Sequence, residues 1–390
     1  MRDSEAPSIA RVSPRALVWL RAAARALLGA LLLASSVPAL AAAPCTLDRA
    51  TGTTIARTPF IRKGYGAQWN AATNQIAFMR PDAHGYYRLF LIRPDGSGLT
   101  PLTEGRGDLP PGHHGTPYWF PAGRYLLFTA QKRDWRGGPA FGIPAYGALP
   151  GWGMHDDLWV MEVGSGRAWQ LTDAPTSHNQ GVLIPVVAPN GRLVAWSSRQ
   201  PDPKYKIMVA DFLASPSPHL GNIRSYAPGG PAYYETGSFS SDSRSLFYTS
   251  DQDTGSFWQS QIYRLDLATG RSTRLTRGRT YNEHPAVVPT PAGDWVVFMS
   301  TQGEHRRPLQ LRLGTDWWAM RSDGTGLKRL TRMNLAGADN PEDAGRTLVA
   351  GKVTASSVGD VLLGDVQDSL VRQTGFVERI QLTCPPPGSR

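Results

Sequence analysis

The chain has 390 residues, 41 Lys and Arg against 31 Asp and Glu, a formal net charge of +10, and two cysteines. That modest excess permits attraction to acidic partners or envelope polymers. No helix-turn-helix, RNA-binding sheet motif or basic run accompanies it, which argues against nucleic acid. The 41 Gly and 32 Pro supply the turns that an all-β protein of many short strands requires.

In chain order, residues 1–43 carry Arg11, Arg15, Arg21 and Arg25, an apolar run through Leu27, Leu28 and Leu31 to Leu33, and then Ala41-Ala42-Ala43. These are the parts of a secretory signal peptide, with cleavage expected after Ala43 and a periplasmic or secreted product. An uncleaved membrane anchor is the alternative, opposed by Pro38 and the Ala-x-Ala site. Cleavage would remove five Arg, one Asp and one Glu and leave a net charge of about +7 on residues 44–390. No later stretch is long and apolar enough to cross a bilayer as a helix. Cys45 and Cys384 lie at the two ends of the exported portion. In an oxidising compartment they can form a disulfide, the alternative being two free thiols. A closed ring would already hold the two ends together, and a bridge there would lock the closure.

From residue 64 onward one phrase recurs. A tight turn and a hydrophobic strand read TNQIAF from Thr73, GRYLLF from Gly123, GRLVAW from Gly191, SRSLFY from Ser243, GDWVVF from Gly293 and GRTLVA from Gly345. The spacings are 50, 68, 52, 50 and 52 residues, so one unit is overlong. A second half reads RLFLIRPDGSGLTPLT from Arg88, DLWVMEVGSGRAWQLT from Asp157, QIYRLDLATGRSTRLT from Gln261 and DWWAMRSDGTGLKRLT from Asp316. Gly and Asn in these turns tolerate the positive φ of tight hairpin connections. About four antiparallel strands per unit, repeated six times, predict an all-β fold: a six-bladed β-propeller of four-stranded antiparallel blades. The sixth unit offers strands at Thr347–Val353, Val361–Val366 and Phe376–Leu382, with Thr53–Ile61 as a candidate fourth.

The turn-strand elements and the Asp-Gly-x-Gly turn before Leu-Thr resemble the TolB-type propeller repeat, also called the WD40-like or PD40 repeat. The resemblance runs from Gly64 to the C-terminal strand. It implies a six-bladed ring, and the chain departs from TolB in the expected lack of the separate N-terminal domain that precedes the propeller there. A single domain over 44–390 is therefore expected.

Connections from first to second and from third to fourth strands are short, whereas Thr249–Ser260 and Ser300–Thr315 are long and varied. Function is expected on the face that carries the long loops. The extra length of the second unit forms an insertion at about 132–157, which offers Trp135, Trp152 and His155 as contact residues among Gly and Pro. A lid that packs only on itself is the alternative. Nine residues before each turn lie Gly64, His114, Val182, Tyr234, His284 and Ala336, beside the central channel, with Glu235 and Glu283 close by. His114, Glu235, Glu283 and His284 form a candidate binding cluster for a metal or a cationic group. His114 and His284 belong to opposite units, too far apart to share one ion, so no metal and no cofactor is expected.

No Gly-x-Ser-x-Gly elbow, Walker loop or dinucleotide fingerprint is present. The sequence therefore favours a non-catalytic binding module or scaffold, expected as a monomer, for a protein or glycan partner in the cell envelope. The competing reading is a metal-assisted polysaccharide lyase or hydrolase with its His/Glu site at the channel mouth. Oligogalacturonate lyases are similar in length and use channel-mouth histidines, but this chain has no His-x-His cluster in its last units.

Overall fold

The structure is a computed structural model and describes residues 45–50, 55–134, 149–202, 204–303, 313–334, 343, 346–368, 375–382 and 384. All its strands lie within the compact unit Pro44–Arg390. They form six four-stranded antiparallel sheets, the blades of a six-bladed propeller.

Blade one consists of Tyr65–Asn70, Gln75–Pro81, Tyr87–Ile92 and Thr100–Pro101. Blade two has His114–Trp119, Tyr125–Gln131, Asp156–Glu162 and Ala168–Gln170. Blade three has Gly181–Val187, Leu193–Arg199, Tyr205–Leu213 and His219–Tyr226. Blade four has Tyr234–Phe239, Ser245–Ser250, Gln261–Asp266 and Ser272–Arg274. Blade five has Asn282–Thr290, Gly293–Ser300, Asp316–Arg321 and Lys328–Arg329. Helical structure among the described residues is limited to single turns such as Ser177–Asn179 and Phe257–Gln259.

Blade six is closed by both ends of the chain. Its inner strands are Val349–Ala355, Val361–Gln367 and Gly375–Leu382, and the outermost is the N-terminal strand Ile55–Arg62. Ile55 pairs with Leu382 and Arg62 with Phe376. Beside this seam Cys45 and Cys384 form a disulfide with a Cα separation of 5.5 Å across 339 positions. The buried Arg57 bonds Glu378 at 2.8 Å and also Asp343. One seam thus combines a strand ladder, bulged between Pro59 and Ile61, with a covalent link and a buried ion triad.

The second strands are continuous apolar runs because both of their faces are covered by neighbouring blades. Leu126 and Phe128 of blade two, both fully buried, pack against Ala77, Met79 and Leu89 of blade one. Each such side chain contributes about 1.5–3 kcal/mol through burial.

Every innermost strand carries a register break: between Tyr65 and Gln68, Gly115 and Tyr118, Leu183 and Val186, Thr236 and Ser238, Glu283 and Ala286, and Ala350 and Val353. A bulge of this kind re-aims a side chain and sharpens the local twist. Gly66, Thr116, Ile184 and His284 sit at these breaks with φ of 64°, 45°, 44° and 57°. In blade six the break leaves Asp365 unpaired with the innermost strand, as the breaks of blades two and five leave Phe128 and Phe298, although each still pairs with the third strand of its blade. Asp365 instead accepts the Gly66 backbone N–H through both carboxylate oxygens, at 3.0 and 2.9 Å, joining blade six to blade one.

One assignment from the repeat is corrected. GRTLVA at 345–350 is not the second strand of its unit; it leads into the innermost strand Val349–Ala355. The true sixth copy begins at Gly359, whose N–H bonds the Ser356 carbonyl as Gly123 bonds Phe120. Gly359 lies 66 residues after Gly293, so blade five and its link to blade six are overlong as well. The channel-side residues of blade six are consequently those around Ala350, not Ala336.

Candidate ligand cavity at the channel mouth

Blades four and five begin alike, with Tyr233-Tyr234-Glu235 and Tyr281-Asn282-Glu283. Strand alternation turns Tyr234 outward into the packing between blades three and four, where it is fully buried. Glu235 faces the channel. His284 follows Glu283 at the bulge, and its left-handed φ of 57° carries the imidazole back across the channel mouth.

His284 lies between two carboxylates. Its Nδ1 is 2.7 Å from Glu235 Oε1 and its Nε2 is 3.6 Å from Glu283 Oε2. The Tyr233 hydroxyl donates to Glu235 and lies 3.4 Å from Glu283 Oε1. Burial alone would lower the His284 pKa, but the charges of Glu235 and Glu283 outweigh it and raise it to about 9. Burial pushes the Glu235 carboxyl up, and the imidazolium outweighs that, leaving it below the ordinary carboxylate value. Glu283 rises to about 7, through burial first and the charge of Glu235 second. At neutral pH the centre of the cluster is an imidazolium paired with an ionised Glu235.

Beneath this trio stands Lys352, from the bulge of blade six. Its ammonium lies 4.8 Å above the ring of Tyr118 of blade two. Burial lowers its pKa to about 8, with Glu235 and Asp365 pulling the other way. Burial raises Asp365 to about 6.

Above the trio opens a cavity of about 560 Å³. Its aromatic wall is a chain of rings: Tyr205 to Tyr233 at 5.0 Å, Tyr233 to Phe257 at 5.0 Å, Phe257 to Trp258 at 5.2 Å, and Trp258 to Tyr281 at 5.7 Å. Phe257 and Trp258 sit on the second-to-third connection of blade four and remain 37% and 52% exposed. Arg199 and Lys204 of blade three complete another side. Large aromatics left half in water on a concave surface are the usual composition of a contact site.

Of the residues singled out from sequence, Glu235, Glu283, His284 and Trp152 line this cavity together. Trp152 belongs to the C-terminal part of the insertion and is 45% exposed; Trp135 lies outside the described residues. His114 is buried elsewhere in blade two, with Nε2 2.8 Å from the Pro110 carbonyl and its ring edge-on to Phe128. Burial, and then Arg88, lowers its pKa to about 3. His155 is also buried, its Nε2 3.0 Å from Asn179 Oδ1, and burial lowers its pKa. Neither histidine lines the cavity. Sequence reasoning passed over Tyr233, Tyr281, Arg199, Lys204 and Lys352. The repeated Tyr-x-Glu of blades four and five was a usable signal for the first two.

Glu235, Glu283 and His284 offer three ligand atoms within 4.8 Å of one another. A single ion would need one imidazole nitrogen and both carboxylates to converge at roughly 2 Å. Here the two nitrogens face different carboxylates, the arrangement of a bridging imidazolium.

No protein-family model matches the chain. It is 27% identical over 190 residues to Tricorn protease homolog 1 of Streptomyces coelicolor, covering 47% of this chain and 15% of that protein. It is 26% identical over 216 residues to an uncharacterized protein of Agrobacterium fabrum, covering 55% of this chain and 57% of that one. The chain therefore spans less than two thirds of the length of either relative. Among solved structures, TolB from Acinetobacter baumannii aligns with a TM-score of 0.48 at 14% identity, over 81% of this chain and 65% of that chain. The structural neighbours are TolB and related propeller proteins.

Proposed function

We propose that this chain is an exported, non-catalytic binding module of the cell envelope, which takes a protein or glycan partner in the aromatic-walled cavity at the channel mouth. The observation that carries this reading is the union in one cavity of exposed aromatic rings with an acid-base cluster whose members are already bound to one another. A general base must be free of its proton near working pH. An imidazole raised to about 9 between two carboxylates is not such a base and serves to hold the cavity floor, which leaves Glu283, raised to about 7, as the one member of the cluster that acid-base chemistry could use. The Cys45–Cys384 disulfide and the basic-apolar leader both fit an oxidising compartment outside the cytoplasm.

The test is capture of partners from envelope extract by the wild type and by Trp258→Ala with Phe257→Ala. Both rings are on an exposed loop turn, so the fold should survive, and thermal unfolding checks that it does. Loss of the same captured species in the double variant supports the cavity as the binding site. Undiminished capture by a folded double variant sinks it. A metal-assisted enzyme is the second reading, favoured by the three clustered ligand atoms. Turnover of an envelope polysaccharide that chelation abolishes would establish it over the first.

A further inference from the structure

The charged groups that line the cavity are not equally engaged. Glu235 and Glu283 share His284 and the Tyr233 hydroxyl. Asp251 accepts the Tyr233 backbone N–H at 2.8 Å. Arg199 and Lys204 line the same cavity, and among the described residues neither has a carboxylate at ion-pair distance. Arg199 gives one guanidinium N–H to the Tyr205 hydroxyl at 2.7 Å, while its buried Nε has no hydrogen-bond partner. A half-buried guanidinium and an ammonium on one cavity wall, neither paired with a carboxylate among the described residues, suit an anionic ligand.

The aromatic wall narrows the choice of ligand body. Tyr205 and Tyr233, Tyr233 and Phe257, and Phe257 and Trp258 each meet at 79° between ring planes. Successive edge-to-face rings make corners, which accept a branched or aromatic side chain. A sugar ring calls for an open flat face. The Tyr, Trp and Arg composition is also that of peptide hot spots.

Resting on the binding reading above, we infer that the cavity receives an acidic peptide segment, with its carboxylates on Arg199 and Lys204 and a large apolar side chain against Phe257 and Trp258. The His284–Glu235 pair lies under the apolar part of the ligand and leaves the attraction to blade three. Charge-assisted hydrogen bonds to a guanidinium at a partly desolvated site outweigh neutral ones.

The inference is tested on the full mature chain with two fluorescein-labelled pools of short peptides. In one, a Trp is flanked by Asp and Glu; in the other, the same positions hold Asn and Gln. The acidic pool should bind at least about tenfold more tightly at low salt, and the advantage should shrink at about 0.5 M salt. Lys204→Glu, at a surface position, should cancel or reverse that preference, and Arg199→Gln should remove most of it. Equal binding of the two pools, or a preference untouched by Lys204→Glu, overturns the inference. Binding of the acidic polysaccharide alginate with no binding of either pool also overturns it, in favour of a glycan. If Trp258→Ala abolishes capture of the natural partner while the two pools bind alike, the binding-module reading stands and only the acidic peptide falls.

Discussion

His284 of blade five and Glu235 of blade four meet at 2.7 Å, Nδ1 to Oε1, across the mouth of the channel. Their strands are neighbours around the ring, and the bulge at His284 is what brings the imidazole within reach. Replacement of His284 by Gln removes the cation and leaves two buried carboxylates facing each other. Loss of one partner of a buried pair costs about 3–5 kcal/mol; the side chain of His284 is 23% exposed, so about 2–4 kcal/mol is expected. Urea unfolding at pH 7 checks it, and an unchanged midpoint would contradict the pairing.

The same cluster sets a pH dependence. The folded pKa of His284, about 9, lies above its unfolded value near 6.5. Its contribution is therefore full below about 6.5 and is lost as pH rises through about 9. Glu283, raised to about 7, acts in the same direction, because its ionisation above about 4.5 is resisted in the folded state. Wild-type stability should fall between about pH 4.5 and 9, through Glu283 up to about 7 and through His284 from about 6.5 to 9, and the slope of the upper part should flatten in His284→Gln. An imidazole NMR titration should place His284 well above an ordinary histidine.

Reduction of the Cys45–Cys384 bridge should lower the melting temperature. The closed loop spans 339 positions, for which the chain-entropy model gives about 6 kcal/mol. Melting of wild type and Cys384→Ser with and without reductant measures it. Equal melting temperatures would mean that the strand ladder and the Arg57 triad close the ring unaided.

Asp365→Ala should destabilise by about 1–3 kcal/mol, because the Gly66 N–H loses its acceptor. Gly364→Ala should also destabilise, by about 1–3 kcal/mol through overpacking, since an added Cβ would stand 2.3 Å from the indole of Trp317. Chemical denaturation of each variant gives the values. A neutral Gly364→Ala would show that the indole can yield.

Addition of about 1 mM Zn²⁺ or Mn²⁺ at pH 7 should leave the melting temperature unchanged if His284 remains a bridging imidazolium. A rise that disappears in His284→Gln would favour the metal-assisted reading.

How far the fold was legible follows from these residues. Five aromatic-ended strands, TNQIAF to GDWVVF, announced five blades because each aromatic fills the same space between blades. The sixth copy ends in Gly364 because Trp317 of blade five, buried and donating to the Gly351 carbonyl at 2.9 Å, already occupies that space. With its aromatic supplied by a neighbour, the true copy at Gly359 lost its mark and GRTLVA resembled it better. The slip displaced the channel-side position from Ala350 to Ala336 and hid Lys352. The Glu235, Glu283 and His284 group was legible from its place at the start of innermost strands. His114 shares that place, but no bulge acts on it; Thr116 takes the left-handed φ in blade two, and His114 turns to the Pro110 carbonyl. Arg199 ends the second strand of blade three and Lys204 lies on the connection after it, and their approach to the channel depends on how the blades are arranged in space.

The pairing of Ile55–Arg62 with Gly375–Leu382 also fixes an order of events. The first of the described strands to be synthesised is among the last to find its partner, since some three hundred residues must be in place before its neighbour exists. Until then it offers an unpaired edge to any other strand nearby, the condition that favours aggregation. Truncations that end before Gly375 should thus be the most aggregation-prone forms of this protein, however many complete blades they contain.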